Sequence, residues 1–158
     1  MKTKIPKLLV AGAGGATLLV TLSFAHPFGN PRLEQAEPGR LLAGAQIPAQ
    51  VRNLVESKCG NCHSEAVAWP IYSRIAPVSW LLERDISEAR AHMNLSRWEA
   101  YSTEERADLL GRLAAEARSG EMPPARYTAI HRDSKLLPEE REMIYSWAKA
   151  ERKRLKTK

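Results

Sequence analysis

Cys59 and Cys62 stand three residues apart, and His63 follows at once, in the pentapeptide Cys59-Gly60-Asn61-Cys62-His63. Two thiols at that separation can add to the two vinyl groups of one porphyrin. The adjacent imidazole then lies under the iron as proximal ligand, and C-x-x-C-H is the attachment sequence for c-type haem. The chain has no other cysteine that would explain the pair differently. A structural zinc site wants four ligands, often a second cysteine pair, and there is none. A thioredoxin-like dithiol needs a βαβ setting, and no segment reads as a strand. A disulfide between Cys59 and Cys62 would close a loop too small to staple a domain. The expected cofactor is therefore one covalent haem c.

The chain around this motif reads as exported. Lys2, Lys4 and Lys7 precede an uncharged stretch over residues 8–25, the order of a charged n-region and an apolar h-region. Ser23-Phe24-Ala25 has small residues spaced for cleavage after Ala25. Eighteen residues also just reach the length of a membrane span. Residues 1–25 are thus a signal peptide or a membrane anchor. Either way the lysines stay inside and the remainder faces the periplasmic side of a bacterial inner membrane. The formal charge of +6 is concentrated at the two ends. The three N-terminal lysines hold +3, residues 151–158 hold +4, and residues 26–150 are almost balanced at −1. The high overall basicity therefore does not point to a nucleic-acid-binding face, and no nucleic acid is expected as partner. The basic tail 151–158 reads as a solvated helix end that could meet anionic lipid or an acidic redox partner.

Helices are expected to position the motif. Residues 26–47, with Pro27, Pro31, Pro38 and several glycines, read as a linker or extended wrap. Residue 48 opens a domain that runs to 150. A short helix over 48–58, with Val51, Leu54 and Val55 as its apolar stripe, delivers the chain to Cys59. Residues 66–76 read as a loop able to cover a haem edge. A second helix is expected over 77–93, with Val78, Leu82, Ile86, Ala89 and Met93 on one face. A third spans 103–119. Ser102 or Thr103 is its cap, the capping box is only partly matched, and Gly120 is its stop. A fourth starts after Leu137-Pro138 and carries Ile144, Trp147 and Ala148 inward. In a domain this small, the cofactor is expected to form much of the core.

A haem bound by His63 has a second axial position, usually filled by methionine or histidine. Met143 lies inside the last helix, and Met93 continues an apolar stripe, beside His92 at a helix end. Met122 differs. It sits between two expected helices in Gly120-Glu121-Met122-Pro123-Pro124, where prolines stiffen the loop. A stiff loop presents a soft thioether to iron at little entropic cost. His131, nine residues later, is its best rival. His26 reads only as a linker residue.

These features resemble class I c-type cytochromes: an N-terminal helix, C-x-x-C-H, a Met-Pro loop and a C-terminal helix with an aromatic. More closely, residues 59–64 (CGNCHS), 69–82 (WPIYSRIAPVSWLL), 85–98 (DISEARAHMNLSRW) and 120–124 (GEMPP) are similar to the small bacterial haem-binding domain family, with alanine at 89 where glycine is often expected. The resemblance implies an all-α, cytochrome c-like bundle of about four helices around one covalent haem. It implies Cys59 and Cys62 as thioether sites, with His63 and Met122 as the iron's axial ligands. Filled axial positions point to a periplasmic electron carrier serving an unidentified redox protein, with no catalytic residues. If the distal site is open or exchangeable, a peroxidase-like enzyme or a haem sensor or assembly domain is the alternative.

Overall fold

The computed structural model describes residues 7–34 and 41–157, and every regular element among them is helical. The expected n-region lysines at 2 and 4, and Pro38 of the linker, lie outside the described residues. Six α-helices follow in order: α1 (Lys7–Leu22), α2 (Ala49–His63), α3 (Val78–His92), α4 (Thr103–Ser119), α5 (Ala125–Ile130) and α6 (Pro138–Lys156). Short 3-10 turns occupy Pro31–Leu33, Ile71–Arg74, Leu95–Ala100 and Arg132–Ser134.

The most extensive helix pair is α4 with α6. Local chemistry sets the ends of α4. The Glu105 N–H donates to the Ser102 hydroxyl at 3.2 Å, and the Ser102 N–H donates to the Glu105 carboxylate at 2.7 Å. The capping box is thus complete, satisfying two otherwise orphaned donors. Gly120 ends the helix at φ 81°, with its N–H on the Glu116 carbonyl, a conformation that costs other residues a Cβ clash. A Cβ there would also strike the Arg141 guanidinium. At α6, the Glu140 carboxylate accepts the Leu137 N–H at 2.8 Å. Leu110, Leu113 and Ala114 of α4 then bury against a core shared with Ile144, Trp147 and Ala148 of α6, Val51 and Val55 of α2, and Leu95 and Trp98. A sizeable apolar core therefore exists without any contribution from a haem.

The α6 helix runs through most of the basic tail, and Glu151 and Leu155 are buried in it. Glu151 receives two bonds from Arg154, both 2.6 Å, and one from the Gln46 N–H at 3.1 Å. The Trp147 indole N–H donates to the Gln46 carbonyl at 2.8 Å. The segment leading into α2 is thereby pinned to the last helix.

Residues 23–34 are a strap laid along α3, not a slack linker. The Ala76 N–H donates to Ser23 Oγ at 3.0 Å, and the Trp80 indole N–H to the Ala25 carbonyl at 2.8 Å. His26 Nδ1 lies 2.9 Å from the fully buried Glu83 carboxylate, and Ser87 Oγ donates to the Phe28 carbonyl at 3.3 Å. The Arg90 guanidinium then reaches the Pro31 carbonyl at 3.0 Å. The strap and α3 advance together, with about one contact per helical turn. Arg32 bonds the Ser73 carbonyl and hydroxyl and lies over the Trp69 ring at 3.9 Å. His26, expected to be idle, thus partners a buried carboxylate 57 positions away.

No helix among the described residues is long and apolar enough to cross a membrane. The α1 helix has 16 residues, and positions 12–21 are exposed throughout.

Candidate functional site

Helix α2 runs through the motif and ends at His63, whereas the sequence reading stops it near Lys58. Gly60 and Asn61 are poor helix formers, which favours an early stop on propensity alone. Packing prevails: Gly60 is buried beneath Leu41, where a side chain would make only ordinary contact. Being three residues apart on a helix, Cys59 and Cys62 share one face. Both are free thiols. Cys59 lies partly buried against the core, and burial, reinforced by Cys62, pushes its pKa up to about 12. Cys62 is raised chiefly by burial and then by Asp85, with Arg126 opposing.

The His63 ring is held by a backbone carbonyl. Its Nδ1 is 3.0 Å from the Met93 oxygen. A carbonyl only accepts, so Nδ1 carries the proton and the lone pair of the neutral ring is on Nε2. Burial lowers the His63 pKa and favours that neutral form, while the Met93 and Ala89 carbonyls pull the other way. A neutral imidazole with one nitrogen donated to a carbonyl is the usual state of a metal-bound histidine. Met93, extended just past the end of α3, packs partly buried against the core; of the stripe expected on α3 only Ile86 is buried, and Val78 is exposed. The Met93 backbone oxygen has the further role of orienting His63.

The α3 helix separates two faces. Trp80, Glu83, Ser87 and Arg90 carry the strap. The opposite side runs through Val78, Leu81 and Asp85 to Ala89, at helical spacings of three and four. Asp85 acts electrostatically on Cys62, and the Ala89 carbonyl lies beside His63. This side therefore looks toward the motif, and Val78 and Leu81 extend it as exposed apolar surface. Arg126 on α5 pairs with Asp85 at 3.1 Å.

The 66–76 stretch contains the 3-10 turn Ile71–Arg74 and is tied back to the motif by an aromatic chain. Asn61, between the two cysteines, donates through Nδ2 to the Tyr127 hydroxyl at 3.2 Å. The Tyr127 ring stacks on His131 with centroids 4.5 Å apart. His131 Nε2 is 2.6 Å from the Tyr72 hydroxyl. Burial, with Tyr127 adding to it, raises the Tyr72 pKa. His131 is thus linked to the motif through Tyr127 and Asn61. Met122 is 39% exposed and lines a cleft of about 170 Å3 with Pro123, Thr128, Leu136 and Arg141. No residue of the motif lines that cleft. Among the described residues no three His, Cys, Asp or Glu side chains gather as a separate metal cluster.

A haem-binding domain family matches residues 17–150, nearly the whole described chain. The chain belongs to that haem-binding domain family. Comparison with curated proteins and with solved structures returns no match. Haem binding is therefore the molecule's function at the coarsest level, and the residues on α2 suit such a group. They comprise two unpaired thiols on one face, an imidazole with Nε2 unprotonated, and apolar surface on the adjoining face of α3. Sequence reasoning found the motif. It missed Asn61, Tyr127 and Tyr72, because contacts across 59 or more residues leave no local pattern.

Proposed function

We propose that this haem-binding protein is a c-type electron carrier, exported to the periplasmic side of the inner membrane. Cys59 and Cys62 hold the porphyrin through thioethers, and His63 and Met122 are the axial ligands. The carrying observation is the His63 ring, fixed by the Met93 carbonyl beside two free thiols on one helical face. Bound haem supplies one-electron chemistry between the two iron oxidation states. The protein's part is to hold it: helix α2 sets the thiol spacing, Met93 sets the tautomer of His63, and α3 excludes water from one side. A thioether ligand raises the potential relative to a second imidazole.

The aromatic chain from Asn61 to His131 supports a second reading, in which His131 is the distal ligand or exchanges with Met122. That arrangement suits a sensor or an enzyme with an exchangeable site. Two measurements decide. Haem retained through acidified organic extraction of the wild-type protein, and lost in Cys59→Ala/Cys62→Ala, supports the covalent site; complete extraction from wild type refutes it. A native high-spin iron that binds added ligands refutes the carrier reading and leaves the open-site one.

A further inference from the structure

We propose that α1 is not cut away after Ala25, and that a lipid bilayer covers it and holds the haem domain at the membrane surface. The proposal deepens the exported-carrier reading by naming what the N-terminal helix contacts. Four observations carry it. First, the helical hydrogen bonding does not stop at the end of α1. The Ser23 N–H donates to the Leu19 carbonyl at 3.0 Å, Phe24 to Thr21 at 3.2 Å, and Ala25 to Leu22 at 3.0 Å. The three residues that would precede the cut thus form a closed turn that continues α1 into the strap.

Second, residues on both sides of that bond belong to the fold. Ser23 and Ala25 accept from Ala76 and Trp80, and His26 pairs with Glu83. Ala76 is 3% exposed, so removing Ser23 would strip the acceptor from a buried N–H. Third, the match to the haem-binding domain family begins at residue 17, inside α1. The family's own unit thus includes the last part of the helix.

Fourth, the surface of α1 calls for lipid. Positions 12–21 are exposed on every side, although the helix carries no charged residue after Lys7. An apolar helix with no polar face belongs in a membrane or a core, and this one has no protein core around it. The sequence at this end carries three lysines, at positions 2, 4 and 7, and their charge suits anionic headgroups. Sixteen residues rise about 24 Å, short of a ~30 Å hydrocarbon core. The described part of α1 therefore reaches into the hydrocarbon core without crossing it. No slack separates helix from domain, because the strap's contacts begin at Ser23. The exposed Phe24 and Ile75, at 80% and 56%, flank that junction and are drawn into the interface.

The test is made on the full chain, expressed with its own N-terminus in a bacterium that assembles c-type haem proteins. Membranes are washed with alkaline carbonate, the chain is extracted with detergent, and its intact mass is measured. The expected result is a chain retaining residues 1–25 that resists carbonate and needs detergent. A mass beginning at His26 overturns retention. A full-length chain released by carbonate overturns the lipid contact and points to a protein partner for α1. Haem staining is read separately, so a full-length, carbonate-resistant chain without haem would sink the haem-attachment reading and leave this one standing.

Discussion

Cys59 faces a conflict between its packing and its chemistry. The thiolate is the nucleophilic form of cysteine, yet burial pushes the Cys59 thiol up to about 12. At pH 8 only about one such thiol in ten thousand is ionised. In the folded chain this sulfur is chemically quiet, so attachment to a porphyrin is expected before α2 docks on the core. The check is alkylation of haem-free protein by iodoacetamide at pH 8. Cys59 should react at least a hundredfold faster in denaturant than in the native state. Equal rates would show that the thiol is accessible and that folding and attachment are not ordered. At the distal position, oxidised protein should show the weak red-edge charge-transfer band of a methionine–iron bond, and Met122→Ala should erase it and lower the potential. His131→Ala should leave the band unchanged. A spectrum indifferent to Met122→Ala but altered by His131→Ala assigns the ligand to His131, whose present partners are Tyr72 and Tyr127.

The helices were mostly legible in the sequence, and the reasons differ along the chain. The limits of α3 and α4 follow from Pro77, Ser102 and Gly120, local signals that act within one turn. Two short elements, Leu95–Ala100 and α5, show no helical periodicity in the sequence; the first is capped by Asn94, whose side chain accepts the Ser96 N–H, and is held by what it packs on. Leu95 and Trp98 are fully buried. The strap was legible only as a wrap, because its partners on α3 lie more than 50 residues away. Within the site, the motif itself was plain, whereas the Met93 carbonyl that orients His63 carries no side-chain signature at all. The first domain helix meets the last through Val51, Val55, Ile144 and Trp147, which lie in one buried cluster. Trp147→Ala should therefore cost ~3–5 kcal/mol, and it also strips the indole donor from Gln46. Ser102→Ala removes half of the α4 capping box and should cost about 1 kcal/mol. Both are read from denaturant midpoints of haem-loaded protein. A loss under about 1 kcal/mol for Trp147→Ala would place it outside the core that holds the domain together.

The molecule as a whole is built unevenly around its site. The pair of α4 and α6 buries leucines, alanines, Ile144 and Trp147, and it needs no cofactor to do so. The buried side chains of α3 are Ser79, Glu83, Ile86 and Arg90, of which only Ile86 is apolar. Its attachments to the strap and to Ser64 are chiefly hydrogen bonds. Regions with few buried apolar contacts open at lower free energy than the core. The sequence reading expects the cofactor to form much of the core, so that losing it would collapse the helices. The packing leads to a different outcome. In Cys59→Ala/Cys62→Ala, amides of α4 and α6 should keep nearly their native hydrogen-exchange protection. Those of α3 and of Ile71–Arg74 should lose at least tenfold, roughly 1.4 kcal/mol, because the motif-facing side of α3 is left uncovered at Val78 and Leu81. Protection lost uniformly over all helices would show that haem is integral to the core. Protection unchanged in α3 would show that this face is not where the haem lies.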